Sequence, residues 1–194
     1  MNLGRRIFLA AGLLLGLGLR AQDPWESGFK LTAASYPGAE TAYLGQDRAF
    51  GLAIFGTYPF GQAGGVSFEG GYRFFPTTTH VVGPSSWEDK SDGYYATALY
   101  RHRLFFEGFQ VHGGLRLNQY LTNRRSNFQP GDGSTATTKL RGNYATGVQP
   151  LLGVGFRLTG KYGLELNASP LELKAVDGRS KKGTLLELGL LIYL

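Results

Sequence analysis

The chain has 194 residues, of which 30 are glycine, 13% are aromatic, one is methionine and none is cysteine. That length suits one domain of ordinary size, and the lack of cysteine excludes a disulfide framework, a thiolate metal site and a lipidated cysteine. The formal net charge is +6, but Arg5, Arg6 and Arg20 fall in the leader described next, and the remaining excess is too small to argue for nucleic acid.

Residues 1–21 read as a secretory signal peptide. Arg5 and Arg6 form its charged start, and 7–19 is an apolar run of mainly Leu, Ala and Gly. That run is shorter than the roughly 20 residues a membrane-spanning helix needs. Cleavage is expected after Ala21, which leaves 22–194 as a single domain.

The first expected strand covers 27–36, with Phe29, Leu31 and Ala33 on one face and Lys30 and Thr32 on the other. After a loop over 37–46, a second strand over 48–60 sets Phe50, Leu52 and Ile54 against Ala49, Gly51 and Ala53. A tight turn at 61–64 leads to a third strand over 65–75, where Val66, Phe68, Tyr72 and Phe74 oppose Ser67, Glu69 and Arg73. A polar loop is expected over 76–92. The fourth strand, 93–101, has no clear parity, because Tyr, Ala, Thr and Leu occupy both faces. A turn within 102–108 opens strand five, 109–121, with Phe109, Val111, Leu115 and Leu117 against Gln110, His112, Arg116 and Asn118. The longest loop is expected over 122–142. Strand six, 143–158, carries Val148, Leu152, Val154, Phe156 and Leu158 on its apolar face. A turn at 160–162 opens strand seven, 163–176, whose apolar parity switches at Pro170; proline lacks the ladder donor, so a β-bulge is expected there. A short basic loop, 177–182, precedes the last strand.

That strand, 183–194, is the most regular in the chain. Thr184, Leu186, Leu188, Leu190, Ile192 and Leu194 share one face, whereas Leu185, Glu187, Gly189, Leu191 and Tyr193 share the other. Period two means a strand, and about 9–11 residues suffice for a strand to cross a bilayer. On its own the stretch also fits a buried strand ending a soluble domain; the other strands separate the two readings. Their charges, Lys30, Glu69, Arg73, Arg116, Arg157, Glu165 and Glu187, fall on one parity, and the opposite parity is apolar. Placing that charged face in a soluble core would be costly unless every charge were paired, whereas the lumen of a membrane barrel accepts it. Eight strands with alternating short and long connections match a transmembrane barrel with short periplasmic turns and longer external loops.

The end of the chain also carries a resemblance. Glu187-Leu188-Gly189-Leu190-Leu191-Ile192-Tyr193-Leu194 resembles the terminal assembly signal of bacterial outer-membrane barrels, polar-x-Gly-x-x-hydrophobic-x-hydrophobic, with Leu194 where Phe or Trp is usual. With the eight-strand pattern, the mature chain resembles the small OmpA/OmpX-type barrels of the porin family. The resemblance implies an all-β, eight-stranded antiparallel up-and-down barrel in the bacterial outer membrane. It also implies recognition by the barrel assembly machinery through Glu187, Gly189, Ile192 and Leu194.

Three function classes follow. The first is a non-enzymatic barrel whose loops and lipid contacts form its interface; the second, a narrow channel for small solutes; the third, a lipid-modifying enzyme. An eight-stranded barrel is just wide enough for side chains to fill, which argues against a wide pore. For the enzyme, His112 is followed by Gly113 and Gly114 and His80 by Val81 and Val82, so neither forms the His-x-Ser pair of the deacylase type. His80, Ser85, Ser86 and Asp89 share one loop but read as loop polarity. No catalytic, cofactor or metal site is expected, because His80, His102 and His112 lie too far apart along the strands to converge.

Two further expectations concern charge. If 160–162 is a three-residue turn, Arg157 faces Glu165 across the lumen, and barrel closure makes Lys30 and Glu187 neighbours. Arg124, Arg125, Lys139 and Arg141 in the longest loop, with Arg179, Lys181 and Lys182 in the last, form a basic rim able to contact lipopolysaccharide phosphates.

Overall fold

The computed structural model describes residues 26–37, 47–60, 64–104, 108–128, 136–145, 147–175 and 180–194. The leader expected over 1–21 lies outside the described residues. Ten strands occur in the order β1 (Glu26–Ser35), β2 (Arg48–Phe60), β3 (Gly64–Phe74), β4 (Thr78–Val82), β5 (Ser85–Arg103), β6 (Phe109–Phe128), β7 (Ala136–Ala145), β8 (Gln149–Arg157), β9 (Tyr162–Ala175) and β10 (Ser180–Tyr193). Eight of them, β1, β2, β3, β5, β6, β8, β9 and β10, pair antiparallel in sequence order, and β10 returns to β1 from Gly28↔Tyr193 to Ser35↔Leu186. This is a closed, up-and-down, eight-stranded barrel. The backbone N–H of Leu194 donates to Ser27 O at 3.0 Å and fastens the last residue to the first strand.

The alternation read from the sequence sets the faces. Leu31, Leu52, Phe68, Leu117, Leu166 and Leu188 point outward and stay exposed, whereas Lys30, Arg73, Arg116, Glu165 and Glu187 are buried inside. Adjacent residues of β10 make the contrast plain: Glu187 is 0% exposed and Leu188 is 53% exposed. An apolar exterior around a polar interior is the arrangement of a barrel solvated by lipid.

Strands β5, β6 and β7 depart from the expected limits. β5 begins at Ser85 rather than 93, and β6 runs on to Phe128 rather than ending at 121. Much of the expected loop 122–142 is therefore ladder, paired from Thr122↔Gly142 to Phe128↔Ala136. β4 folds back on β5 through Gly83 at φ 57°, where only glycine is relaxed. Together β4, β7 and the far halves of β5 and β6 make a sheet that rises from one end of the barrel, here the extended end; the opposite end, with the shorter connections, is the turn end. Polar residues line both faces of this extension, so the apolar alternation that marks the other strands is missing while the backbone ladder persists.

Expected strand six is divided into β7 and β8. Arg116 pairs with Gln149 and Gln119 with Ala145, so two residues of β6 face three positions on the other strand, and the register shifts by one between Ala145 and Gln149, as at a bulge. The bulge expected at Pro170 is not there. β9 keeps a constant register against β10 from Ser180↔Lys174 to Ile192↔Tyr162, and Leu171 and Leu173 point into the barrel. The parity switch arises because that end of the lumen is apolar. The β8–β9 ladder stops at Leu152↔Ala168; two residues further it would set Pro150 against Pro170, neither of which has an N–H. Ser169 instead donates its hydroxyl to Pro150 O at 2.7 Å.

Candidate functional site

Inside the barrel the charged side chains meet in one layer. Lys30 Nζ on β1 reaches Glu69 at 3.1 Å, Glu165 at 3.1 Å and Glu187 at 3.0 Å, on β3, β9 and β10. Arg116 on β6 donates to both Glu187 oxygens at 3.1 and 3.2 Å and, through Nε, to Thr97 Oγ1 at 3.0 Å. Arg73 pairs with Glu187 and donates to Asn118 Oδ1 at 3.2 Å. The Tyr95 ring lies beside the Arg73 and Arg116 guanidiniums, 4.1 and 4.7 Å from its centroid. Two glycines make room: a Cβ at Gly71 would enter the Tyr95 ring, and one at Gly189 would strike the Lys30 stem.

The expected residues do not all gather there. Lys30, Glu69, Arg73, Arg116, Glu165 and Glu187 lie in the layer, but Arg157 sits at the turn end. Arg157 is opposite Gly163 and Glu165 is opposite Gly155, so the expected facing pair does not form. Thr159 is the reason. Its Oγ1 accepts the N–H of Lys161 and of Tyr162, centring the turn one residue earlier than 160–162. Arg157 turns instead to Glu26 at 2.9 Å and lies over the Tyr193 ring at 4.2 Å. Arg101, absent from the expected set, fills the place by pairing with Glu165. Strand four showed no parity to reveal it; the register against β3, which sets Thr97 beside Glu69 and Arg101 beside Gly65, does. His112 contacts Asn167 in the same layer.

Toward the extended end the lining becomes apolar. Tyr36, Phe75 and Tyr120 pack their rings 5.2–6.0 Å apart, with Leu171, Leu173 and Leu185 beside them. Side chains thus fill the lumen along two successive layers.

Outside, the extension carries a basic face. Glu88↔Arg125↔Lys139 and Lys90↔Asn123↔Arg141 are cross-strand rows on β5, β6 and β7. The same parity of β6 continues down to exposed Leu117 and Leu115, so this face stands directly above the apolar belt. Lys90, Arg125, Lys139 and Arg141 are all exposed, with Glu88 as the carboxylate among them. Arg124 does not join them. Neighbours on a strand face opposite ways, and Arg124 turns to the other side to bind Asp89 at 2.6 and 2.8 Å. Lys182 is exposed on β10; Arg179 and the Lys181 side chain lie outside the described residues. His80 stacks on Trp87 at 5.0 Å. Among the described residues no group of His, Asp and Glu is placed to hold a metal ion.

No protein-family model matches the chain, and no curated protein matches it in sequence. In fold it is similar to Ail, the attachment invasion locus protein of Yersinia pestis, with a TM-score of 0.55 and 16% identity, covering 87% of this chain and 98% of that one. The structure of Ail in complex with the heparin analogue sucrose octasulfate also gives 0.55 and 16%, covering 88% and 99%. Neisserial surface protein A gives a TM-score of 0.40 at 15% identity, covering 87% and 96%. The closed ring, its apolar exterior and the likeness to Ail identify the fold as that of the small bacterial outer-membrane β-barrels of the OmpA/OmpX type.

Proposed function

We propose that this chain is a non-enzymatic surface protein of the bacterial outer membrane that works through its extension, with the turn end in the periplasm. The observation that carries this reading is the exposed row of Lys90, Arg125, Lys139 and Arg141 immediately above the lipid belt. At that height the outer leaflet presents lipopolysaccharide phosphates, and charge-assisted bonds from Lys and Arg suit them. Lys182, with Arg179 and Lys181 beside it in sequence, extends the same contact around the rim. Among the described residues β4, at the margin of the extension, pairs only with β5, and its other edge is open to a strand from a partner. The terminal residues Glu187, Gly189, Ile192 and Leu194 serve as the signal for the barrel assembly machinery.

The channel reading has less support, since the ionic and aromatic layers occupy the lumen. The enzyme reading has less again: Asp89 is engaged by Arg124, and His80 is stacked on Trp87. The test is lipopolysaccharide retention by protein reconstituted in bilayers with and without that lipid. Changing Lys90, Arg125, Lys139 and Arg141 together to Gln should lower retention at least tenfold, while Arg124→Gln leaves it near wild type. Equal retention by the fourfold variant would defeat the reading.

A further inference from the structure

Where β10 closes on β1, across the barrel from β5 and β6, the lipid-facing surface is dented. Two outward rows define the dent. Phe50, Ala33 and Leu188 form one, on β2, β1 and β10, and Arg48, Ser35 and Leu186 form the next toward the extended end. The middle strand carries the short side chains and its neighbours the long ones. A groove of about 290 Å³ opens there, far beyond the roughly 10–15 Å³ that admits a single water. Glu187 also borders it, but its carboxylate is turned into the lumen to meet Lys30.

The two ends of the groove differ in chemistry. Toward the turn end the following rows are Leu52, Leu31 and Leu190, then Ile54, Phe29 and Ile192, so the groove opens into the apolar belt. At the other end stands Arg48, exposed at the margin of that belt. An apolar trough with a cation at its mouth suits an amphiphile whose tail lies in the trough and whose phosphate meets the guanidinium. A second copy of the chain suits it less. The two-fold axis of a dimer within one membrane runs along the bilayer normal, so an isologous contact through this groove would set Arg48 beside its own copy at equal height. No outward carboxylate in the lining would offset that repulsion.

We propose that the groove binds one acyl chain of lipopolysaccharide, with a lipid A phosphate on Arg48. The assignment rests on the extended end being external, as in the reading above. The site is separate from the row of Lys90, Arg125, Lys139 and Arg141, which stands on the opposite wall and takes a different lipid molecule. A chain held here touches both strands that close the barrel.

The test uses the whole protein in detergent micelles with lipid A carrying a photoreactive group on an acyl chain, and phosphatidylglycerol carrying the same group. Mapped crosslinks from lipid A should fall at 33–35, 48–50 and 186–188 in preference to Leu115 and Leu117 on the opposite wall. Ala33→Phe fills the groove and should abolish that preference. Arg48→Gln should lower the yield at the groove about fivefold, the share of one cation near an anionic surface, and Arg48→Lys should keep it. Ala33 and Arg48 are both exposed on the outer face, so their replacement leaves the lumen packing intact. Changing Lys90, Arg125, Lys139 and Arg141 to Gln should leave the groove crosslinks in place, so failure of the basic face and failure of this site are read separately. Uniform marking around the belt, an equal yield at the groove from phosphatidylglycerol, or a wild-type dimer that Ala33→Phe dissociates would overturn the assignment.

Discussion

Two layers of the same lumen solve the problem of a filled barrel in opposite ways. The middle is ionic, built from Lys30, Glu69, Arg73, Arg101, Arg116, Glu165 and Glu187; the extended end is apolar, built from Tyr36, Phe75, Tyr120, Leu171, Leu173 and Leu185. Glu187 and Leu185 are two residues apart on β10, both point inward, and their exposures are 0% and 1%. An inward position therefore does not have to be polar; what the barrel excludes is charge on the lipid face. The two layers differ in how they tolerate change. Apolar packing is non-directional, and neighbours can settle into a gap. An ionic layer depends on each charge meeting its partners at short range, and a missing partner leaves others buried and unpaired.

The largest effect should follow from Glu187→Gln. This side chain alone meets Lys30, Arg73 and Arg116, and it accepts from Asn167 at 3.1 Å. Glutamine keeps the shape and removes the charge, so the loss should be about 3–5 kcal/mol, as for other broken buried pairs. Urea unfolding in lipid vesicles measures it, and a loss below about 1 kcal/mol would mean that water solvates this layer. Next should come Leu173→Ala, which is 0% exposed in the apolar layer. The loss expected there is about 2–3 kcal/mol, near the lower end for leucine truncation, because the tyrosine and phenylalanine rings can close part of the gap. A larger loss than for Glu187→Gln would reverse the comparison.

How much of this was legible depended on whether a strand met two different media. Where one face meets lipid and the other the lumen, period two is written in the residues: β2, β3 and β10 match the expected strands to within three residues, and six of the seven expected lumen charges lie together. Above the belt both faces carry polar residues, so the period-two signal is lost, and β4, most of β7 and the far halves of β5 and β6 read as loop. Leu171 and Leu173 misled for a related reason. A leucine facing an apolar lumen looks, in sequence, like a leucine facing lipid, so the switch reads as a bulge at Pro170, whereas the register changes between Ala145 and Gln149 on the neighbouring strands. Arg101 was hidden by a strand whose two faces are both tyrosine, alanine and small residues, and Arg157 was misplaced by a single residue in the turn.

Arg157 supplies the smallest expected effect and isolates burial from charge. It has the same chemistry as Arg116, and it too binds a carboxylate at close range, Glu26 at 2.9 Å. Yet its side chain is 35% exposed, against 0% for Arg116. Water can take over the hydrogen bonds it gives to Thr159 O and Gly160 O. Glu26 would not be orphaned by its loss, because Arg103 remains 3.1 Å away. Arg157→Gln should therefore destabilise by only about 0.5 kcal/mol, within the range of exposed ion pairs, and part of that reflects the lost contact with the Tyr193 ring. In the same urea assay the difference should shrink further as salt is raised, since exposed charges are screened, whereas the deficit of Glu187→Gln should persist. If Arg157→Gln were as damaging as Glu187→Gln at every salt concentration, burial would not be what separates the rim from the ionic layer, and the charge would have to act through the turn at Thr159 instead.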